Sequence, residues 1–387
     1  MKIVHVCLCG LYMPGWSYQD NMLAKYHQLS GNEVTVLTSK WVYNQNGEYV
    51  LWDGPSITED NGIKIIRLEI KGNKSFQYKF KRYIGLYETL EKEQPQIIFL
   101  HSSQFLDADV ISKYVKKHKE VKLFFDNHCD FKNSATNLFS KYILHKMFWR
   151  RSTGILEKEA ERIYGVTPAR VDFLSEMYGI KRGRVELLPL GADDERVQQA
   201  IATNQRNLIR NKYMVKENDI LLLTGGKIDH NKPETLELME AVIALNRDDV
   251  KLLVFGSVGK EYQSKFFELE KSDKIIYVGW IQSDEVYNYF EAADLVAFPG
   301  LHSVLWEQAV GAGKPCVFRE IEGFRHVDIG GNCAFFHEVT ANGIKETIQT
   351  ILDDSVLNKM KEISESKGKR FFSYKRIADD CISNKQE

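Results

Sequence analysis

The 387-residue sequence is poor in the features that mark a disulfide scaffold, a membrane-spanning chain or a nucleic-acid binder. It has six cysteines without a repeating spacing, which excludes a disulfide framework and favours reduced thiols. No apolar run reaches the length that crosses a bilayer, and His5 and an early Pro-Gly do not fit a secretion signal. The formal net charge is −1, so no overall field attracts nucleic acid. We therefore expect a soluble cytoplasmic protein without a nucleic-acid partner.

Short apolar segments alternate with segments of helical length along the whole chain. A first series runs from KIVHVCLC at residues 2–9 to VELLPL at 185–190, and a second from DILLLTGG at 219–226 to PCVF at 315–318. Strands that alternate with helices predict βαβ units and mostly parallel sheets. The first of these units lacks the G-x-G-x-x-G fingerprint, which argues against a nicotinamide cofactor.

The length and the two series together predict two domains. We expect an α/β protein with two Rossmann-like, doubly wound parallel-sheet domains that face each other across a cleft. The predicted domains are residues 1–192 and 193–367, and a C-terminal helix at about 368–387 is expected to pack back on the first domain. Ligands of such sheets bind at the carboxyl ends of the strands.

The most informative stretch is LLLTGGKIDHNKPETLELMEAV at residues 221–242. A buried strand ends in two glycines, of which Gly226 is the second, and Lys227, Lys232 and a helix follow. Glycines admit close approach of a ligand, helix N-termini attract anions and lysines offset negative charge, so this pattern suits a diphosphate. The alternative is a plain strand-to-helix turn with two solvated lysines.

A second stretch, residues 278–320, contains a strand, a Pro-Gly turn and a helix that carries Glu307. A carboxylate early in a helix that follows a parallel strand is well placed to accept hydrogen bonds from ribose hydroxyls. The alternative for Glu307 is a surface carboxylate. Trp306, Ala309 and the segment 311–315 indicate tight packing around it and favour the functional interpretation.

Two histidines and one aspartate lie just after predicted strands of the first domain. His101 ends IIFLH, and FFDNHCDF places His128 and Asp130 after another buried strand. Strand ends on one sheet edge favour a role for His128, whereas for His101 a role and a filler position remain equally open. Neither histidine has the spacing of a metal site, and we predict no metal.

Two stretches interleave basic and aromatic residues, at 71–87 and 141–151. This pattern is compatible with a helix at the surface of an anionic membrane. The alternative, which we favour for the first stretch, is that its aromatic residues at helical spacing face the core. Those residues are Phe76, Phe80, Tyr83 and Tyr87.

Over nearly its whole length the chain resembles the retaining glycosyltransferases of family 4, of the bacterial surface-polysaccharide type, which have the GT-B fold. In that family a Gly-Arg or Gly-Lys pair and a later lysine bind the donor diphosphate, and Gly226, Lys227 and Lys232 match them. LPLGADDE at 188–195 resembles the interdomain segment. EQAVGAGKPCV resembles the donor signature, in which Glu307 corresponds to the second glutamate.

The resemblance also implies roles for other residues, and it has one clear departure. The family's first glutamate is absent, because the position seven residues before Glu307 is Pro299, and His302 is the candidate replacement. His128 resembles the histidine that contacts the donor sugar, and Gly15 lies in the first loop that faces the cleft. The implied catalytic residues are His128, Lys227 and Lys232. The implied donor-binding residues are Gly15, Gly226, Lys227, Lys232, Ile281, His302, Ser303, Val304 and Glu307. The implied acceptor-side residues are His101 and Asp130.

The function implied is transfer of a sugar, with retention of configuration, from a UDP or GDP sugar to a carbohydrate or lipid-linked acceptor in surface-polysaccharide synthesis. The nucleotide sugar is a co-substrate, and neither a cofactor nor a metal is expected. The cytoplasmic face of the inner membrane is a further candidate partner. The alternatives are a GT-B nucleotide-sugar epimerase, which needs paired acid and base groups, and a non-catalytic sugar-nucleotide-binding protein.

Overall fold

A computed structural model describes residues 1–44, 47–72, 80–230 and 232–383. The chain divides into two compact units. Unit 1 is Met1–Pro189 with the C-terminal segment from Ile377, and unit 2 is Leu190–Arg376. Each unit has its own sheet and its own apolar core.

Unit 1 contains a mostly parallel sheet, as the apolar segments of the sequence predict. Its strands are β1 (Lys2–Cys7), β2 (Glu33–Ser39), β3 (Trp41–Tyr43), β4 (Tyr49–Leu51), β5 (Ile57–Asp60), β6 (Ile63–Leu68), β7 (Ile97–Leu100), β8 (Lys122–Phe125), β9 (Ala160–Gly165) and β10 (Val185–Leu187). Among the described residues the sheet order is β10-β9-β8-β7-β1-β2-β6-β5, in which only the edge strand β5 is antiparallel, and β3 and β4 form a separate hairpin.

Unit 2 contains a parallel sheet of the described strands in the order β13-β12-β11-β14-β15-β16. The strands are nearly all apolar, because helices cover both faces of a doubly wound sheet. They are β11 (Ile220–Gly225), β12 (Val250–Phe255), β13 (Ile275–Gly279), β14 (Leu295–Phe298), β15 (Cys316–Arg319) and β16 (Cys333–Phe336).

The helices alternate with the strands in both units. They are α1 (Gln19–Leu29), α2 (Leu86–Glu93), α3 (Ala108–Lys117), a π-helical segment (Phe139–Trp149) that continues into α4 (Arg150–Glu157), α5 (Pro168–Tyr178), α6 (Asp194–Ala202), α7 (Gln205–Lys212), α8 (Glu234–Ile243), α9 (Gln263–Leu269), α10 (Val286–Ala292), α11 (Leu305–Gly311), α12 (Ala341–Ile351), α13 (Asp354–Ile363), α14 (Lys369–Phe371) and α15 (Tyr374–Ile382). The described residues also contain a second π-helical segment, Ser364–Gly368. They contain three short 3₁₀ helices as well, which are Arg182–Arg184, Lys260–Tyr262 and Arg325–Val327. No helix in the described ranges has the length and apolar character that a bilayer span requires.

Each of the two sheets reverses its strand order at one place. In unit 1 the chain adds strands on one side of β1 and then returns to its other side with β7. In unit 2 it does the same around β11 and β14. Crevices at the carboxyl ends of strands at such reversals are the usual ligand sites of doubly wound sheets.

The predicted fold class is confirmed: both units have Rossmann-like parallel sheets. Several strands were missed, namely β3, β4, β5, β9 and β16, because they are short, partly exposed or lie at sheet edges where the apolar pattern is weak. The helical spacing predicted within 71–87 holds for Phe80 and Tyr87, which are helical, and fails at Tyr83. Tyr83 forms a β-bridge with Ile70, and α2 begins only at Leu86.

Candidate functional site

Gly225, Gly226 and Gly256 allow the ends of the neighbouring strands β11 and β12 to approach each other closely in unit 2. Gly226 has φ of +119°, a conformation that other residues rarely adopt. A Cβ atom on Gly225 would lie 2.5 Å from the ring of Phe255, and one on Gly256 would lie 1.8 Å from the Gly226 carbonyl oxygen. Side chains are therefore excluded at Gly225 and Gly256, where the strand ends pack closely against each other.

Lys232 connects this strand end with the turn after β14. Its Nζ lies 3.8 Å from the position of a Cβ on Gly226, and its Cγ lies 3.1 Å from that of a Cβ on Gly300. The structure thus brings together the two stretches that the sequence singled out. Burial lowers the pKa of Lys232, while the carboxylates of Asp229 and Glu234 act in the opposite direction. The amine is a cation held by nearby carboxylates at the reversal of the sheet.

Lys227 differs from Lys232 in its surroundings. Its side chain is 73% exposed, and its Nζ lies 3.4 Å from a carboxylate oxygen of Asp229. Exposed pairs of this kind add little to stability, so Lys227 is available to an incoming anion. The two lysines predicted to bind a diphosphate therefore share Asp229 as a neighbouring carboxylate.

Glu307 lies in the first turn of α11 and is fully buried. The alternative of a surface carboxylate is wrong. Its Oε1 accepts hydrogen bonds from Nε2 of His302 at 2.8 Å and from Nε2 of His326 at 2.9 Å. Burial alone would raise the pKa of Glu307, but the two histidines lower it to about 2, so the carboxylate is ionised at neutral pH.

The second carboxylate oxygen of Glu307, Oε2, is buried without a hydrogen-bond partner in the described residues. The same holds for Nδ1 of His326. An unpartnered buried acceptor costs free energy, roughly 1–3 kcal/mol and more for a charged group, unless a ligand supplies the donor. A ligand that donates a hydrogen bond would satisfy this unpartnered oxygen of the ionised carboxylate.

The other predicted donor residues lie around these groups or in the first loop. Ile281 is nearly buried after β13, the Ser303 carbonyl accepts from the Trp306 amide, and Val304 caps α11. Gly15 of unit 1 has φ of +78° with no atom within 4 Å of a Cβ position, so its backbone requires glycine although its surroundings are open. These roles stay predictions.

In unit 1, His101 and His128 meet at a residue that the sequence analysis did not single out, Asp126. Nδ1 of His101 lies 3.0 Å and Nε2 of His128 lies 3.2 Å from the same carboxylate oxygen, Oδ2 of Asp126. Burial would raise the pKa of Asp126, yet the two imidazoles hold it well below its ordinary value. His101 is buried, whereas 35% of the His128 side chain is exposed.

Among the residues that the structure describes, His101, Asp126 and His128 form the group whose potential ligand atoms lie close enough together to hold a metal ion. The sequence does not show the short spacing of a metal site here, because His101 and Asp126 are 25 positions apart. Hydrogen bonds to one oxygen account for the arrangement, since both nitrogens lie at donor distance from Oδ2. The absence of a metal requirement remains a prediction.

Asp130, predicted on the acceptor side, has its carboxylate engaged in its own loop. Oδ1 accepts from the backbone amides of Lys132 and Asn133, both at 2.8 Å, and Oδ2 accepts from Nε of Arg170 at 3.3 Å. These bonds fix the loop that follows His128. An acceptor role for Asp130 therefore has to act together with this structural one.

The two basic-aromatic stretches differ. Phe76 lies outside the described residues, but Phe80 and Tyr87 pack against the core and Tyr83 is buried, with its hydroxyl donating to the Leu8 carbonyl. The helix that begins at Phe139 instead exposes apolar side chains, while His145 and Trp149 face inward. The exposed apolar residues of this surface are Leu138, Phe139, Tyr142, Ile143 and Met147.

Sequence reasoning missed Asp126, His326, His5 and His27 as parts of clusters. Asp126 ends a predicted strand, which is the one signal that pointed to it. His326 lies in the 3₁₀ helix Arg325–Val327, 19 positions after Glu307, without any motif. Such partners are brought together only by the fold.

Two family models match the chain, one in each half. The model described as Glycosyltransferase Family 4 matches residues 21–196, and that described as Glycosyl transferases group 1 matches residues 205–370. Together with the two Rossmann-like sheets, these matches define a protein of the GT-B class. Each half of the chain thus matches a glycosyltransferase family model.

Individual relatives are distant. Mannosylfructose-phosphate synthase of Agrobacterium fabrum is 22% identical over 250 residues, which are 59% of this chain and 53% of the relative. The chain thus matches about half the length of that relative. Sucrose-phosphate synthase from Thermosynechococcus elongatus has a TM-score of 0.65 at 15% identity and covers 98% of this chain and 96% of its own. HepE of Anabaena, solved in complex with UDP and glucose, has a TM-score of 0.62 at 12% identity, with 98% of each chain covered. At such identities the structures show the shared fold alone.

Proposed function

We propose that the protein transfers a sugar from a nucleoside-diphosphate sugar, with UDP or GDP as the nucleotide, to a carbohydrate or lipid-linked acceptor. The observation that carries the proposal is the open, buried Oε2 of Glu307 in the same unit as the cluster of Gly226, Lys232 and Gly300. The carboxylate suits a ribose, and the lysines suit the diphosphate. The donor complex of HepE with UDP, in a protein of the same fold, supports this choice of ligand.

The chemistry follows from charge. As the bond to the sugar breaks, negative charge develops on the departing diphosphate and the sugar becomes oxocarbenium-like. Fixed cations aimed at the diphosphate then stabilise the transition state more than the ground state. Lys227 and Lys232 are the candidates for this role, His128 for a contact with the sugar or the acceptor, and we propose that no metal is required.

The test is nucleotide binding followed by turnover. Calorimetry with UDP, GDP, ADP, CMP and NAD identifies the nucleotide, and donor hydrolysis and transfer are then measured with and without EDTA. Lys232→Ala should lower kcat by roughly a hundredfold, because one transition-state contact is lost. Lys265→Ala is the control, since Lys265 is an exposed lysine of unit 2 paired with Glu240, and it should leave kcat unchanged.

The outcomes separate the alternatives. Binding of a nucleoside diphosphate without turnover favours a non-catalytic binding protein, and exchange of the sugar's ring protons with solvent favours an epimerase. Equal activity in Lys232→Ala and Lys265→Ala removes Lys232 from the mechanism. Retention of configuration is tested by the anomeric proton of the product in NMR.

We further propose that the exposed apolar surface at the helix Phe139–Trp149 contacts an anionic membrane at the cytoplasmic face, where surface polysaccharides are assembled on lipid. Lys146 and Arg150 flank the exposed Ile143 and Met147, which combines apolar insertion with attraction to anionic headgroups. The alternative that the side chains of such a stretch face the core does not apply to Ile143 and Met147, because they are exposed.

Vesicle sedimentation tests the membrane contact. Binding to vesicles with about one third anionic lipid should fall roughly fivefold or more when Ile143 and Met147 are both replaced by Ser. Leu208→Ser is the control, because Leu208 is 56% exposed and Met147 is 54% exposed. Equal losses in both variants, or no binding by the wild-type protein, would refute the membrane contact.

A further inference from the structure

A chain of buried imidazoles lies behind His128 in unit 1. Nε2 of His27 lies 2.8 Å from the backbone carbonyl oxygen of Ala378, and Nδ1 of His27 lies 3.0 Å from Nε2 of His5. Nδ1 of His5 lies 2.9 Å from Nε2 of His101, whose Nδ1 reaches Asp126. His5 and His27 are fully buried.

The fold explains why these residues meet. His5 lies on β1, beside Phe99 of β7 in register, and His101 follows β7 directly. The planes of the His5 and His101 rings differ by 14°, and their centroids lie 5.2 Å apart. This arrangement suits a hydrogen bond between the ring edges. His27, from α1, covers His5 on the same face of the sheet at 5.1 Å between ring centroids. The chain of imidazoles therefore runs along the reversal of the sheet between β1 and β7.

The carbonyl at one end fixes where each proton lies. A carbonyl oxygen only accepts, so Nε2 of His27 carries a hydrogen. Burial lowers the pKa of His27 to about 4 and, with the neighbouring imidazoles, lowers the pKa of His5 well below its ordinary value, so both rings are neutral at pH 7. Nδ1 of His27 then accepts from Nε2–H of His5, and Nδ1 of His5 accepts from Nε2–H of His101.

The other end of the chain is a carboxylate. Oδ2 of Asp126 accepts from Nδ1 of His101, which therefore carries hydrogens on both nitrogens and is an imidazolium. Burial acts to lower the pKa of His101, but the Asp126 carboxylate outweighs it and raises the pKa. Oδ1 of Asp126 accepts from the Ser102 backbone amide at 2.9 Å, so both carboxylate oxygens are occupied and the side chain cannot turn freely.

We propose that Asp126 is a positioning residue that fixes the protonated nitrogen and the ring orientation of His128, and that His101, His5 and His27 hold Asp126 in place. Nε2 of His128 lies 3.2 Å from Oδ2 of Asp126, so the ionised carboxylate favours a hydrogen on Nε2 in a neutral His128 and leaves Nδ1 as the acceptor. Because the chain ends at a carbonyl that neither gives nor takes a proton, it holds protons in place and does not conduct them. The catalytic meaning of this role rests on the proposed transfer function, whereas the positions of the protons do not.

Nitrogen-15 NMR of the imidazole rings tests the proton positions in the wild-type protein at pH 7. We expect two protonated nitrogens on His101, a hydrogen on Nε2 alone in His5 and His27, and a hydrogen on Nε2 of His128. A neutral His101, or a His128 that carries its hydrogen on Nδ1, would overturn the proposal. This measurement needs no activity, so it decides the proposal even if the protein transfers no sugar.

A double-mutant cycle tests the action of Asp126 through His128. Asp126→Asn should lower kcat roughly tenfold to a hundredfold in the wild-type background and less than about twofold in the His128→Ala background. A similar loss in both backgrounds would show that Asp126 acts on the fold in general and would overturn the proposal. Glu91→Gln removes another histidine–carboxylate pair, with His118 at the surface, and should leave kcat unchanged.

His101→Gln provides a second variant in case Asp126→Asn does not fold. The glutamine amide keeps a donor toward Asp126 but removes the positive charge. We expect the hydrogen of His128 to distribute over both nitrogens in the NMR spectrum of this variant, with a smaller loss of kcat than in Asp126→Asn. An unchanged His128 spectrum together with an unchanged kcat would contradict the role of the imidazole chain.

Discussion

Each unit of the molecule contains a buried carboxylate with two histidine nitrogens close to one of its oxygens, and the two carboxylates differ in their other oxygen. Asp126 in unit 1 uses Oδ1 to accept from the Ser102 amide. Glu307 in unit 2 has an Oε2 without a partner in the part of the chain that the structure describes. Both carboxylates have lowered pKa values, because imidazoles face them against the effect of burial.

The difference separates a carboxylate with both oxygens hydrogen-bonded within the protein from one with an unpartnered oxygen. All acceptor positions used by Asp126 are filled from within unit 1, so its side chain has one orientation. Glu307 has an ionised, dehydrated oxygen left over, and such a group is costly unless something binds to it. Burial and pKa alone do not distinguish the two; the hydrogen-bond partners do.

The largest effect should come from replacing each carboxylate by its amide in the absence of ligand. An asparagine at position 126 must turn its NH₂ toward a donor in either orientation, because Ser102, His101 and His128 all donate to it. A glutamine at 307 places its oxygen toward the histidines and its NH₂ at the open side. We expect the free energy of unfolding, measured in urea, to fall by roughly 3–5 kcal/mol for Asp126→Asn and by about 1 kcal/mol for Glu307→Gln.

Equal losses of unfolding free energy in these two variants would contradict the comparison, because they would mean that both carboxylates are equally satisfied. A larger loss in Glu307→Gln would do the same. Circular dichroism at 25 °C serves as the control that both variants are folded before denaturant is added.

Acid should destabilise unit 1 before unit 2. The folded-state pKa of His27 is about 4, below its unfolded value of 6.5, so as pH falls the unfolded chain takes up this proton first. This proton uptake lowers the free energy of unfolding of unit 1 by roughly 3 kcal/mol as the pH falls from about 6.5 to 4. His101 has a raised pKa, so its contribution is complete below pH 6.5 and does not change in this window.

For Glu307 the corresponding window is lower. Its folded pKa of about 2 lies below the ordinary 4.5, so its contribution is present above pH 4.5 and is lost as pH falls toward 2. Hydrogen exchange at pH 7, 5 and 3 resolves the two units, and His27→Gln should flatten the response of unit 1. Opening of unit 2 ahead of unit 1 at pH 5 would be the contrary result.

The effect on nucleotide affinity should be smaller than the loss of stability in Asp126→Asn. Glu307→Gln should weaken binding of the preferred nucleoside diphosphate roughly tenfold, about 1.4 kcal/mol, because a charge-assisted hydrogen bond to a hydroxyl is lost. Glu291→Gln is the control, since Glu291 is a carboxylate of unit 2 paired with Lys314. Calorimetry that finds Glu307→Gln and wild type equal would leave the open oxygen without a ribose role.

Much of the fold was predictable because buried parallel strands are continuous apolar segments. Both predicted strand series are observed, the first from β1 (Lys2–Cys7) to β10 (Val185–Leu187) and the second from β11 (Ile220–Gly225) to β15 (Cys316–Arg319). The edge strand β5 and the hairpin β3–β4 were missed, because exposed residues break their apolar pattern. Of the described aromatic residues predicted at helical spacing, Tyr83 is the exception, because it forms a β-bridge before α2 and is buried there.

The candidate site was predictable only in part. Gly226, Lys232 and Glu307 belong to short motifs with a physical meaning at their own position, so they were found from the sequence. Their roles in binding and turnover stay predictions until the variants are measured. The partners of Glu307 were not found as a pair, because His326 lies in a short loop that no local pattern marks.

The sequence by itself determined the alternation of strands and helices, the two Rossmann-like units and the strand ends where glycines and lysines gather. These depend on residues near one another in the chain, whose periodicity and turn chemistry are local. The tertiary structure alone decided that His5, His27, His101 and Asp126 form one chain and that Oε2 of Glu307 is left open. Adjacent parallel strands bring together residues that are far apart in sequence, and only their packing determines which polar atoms find partners and which do not.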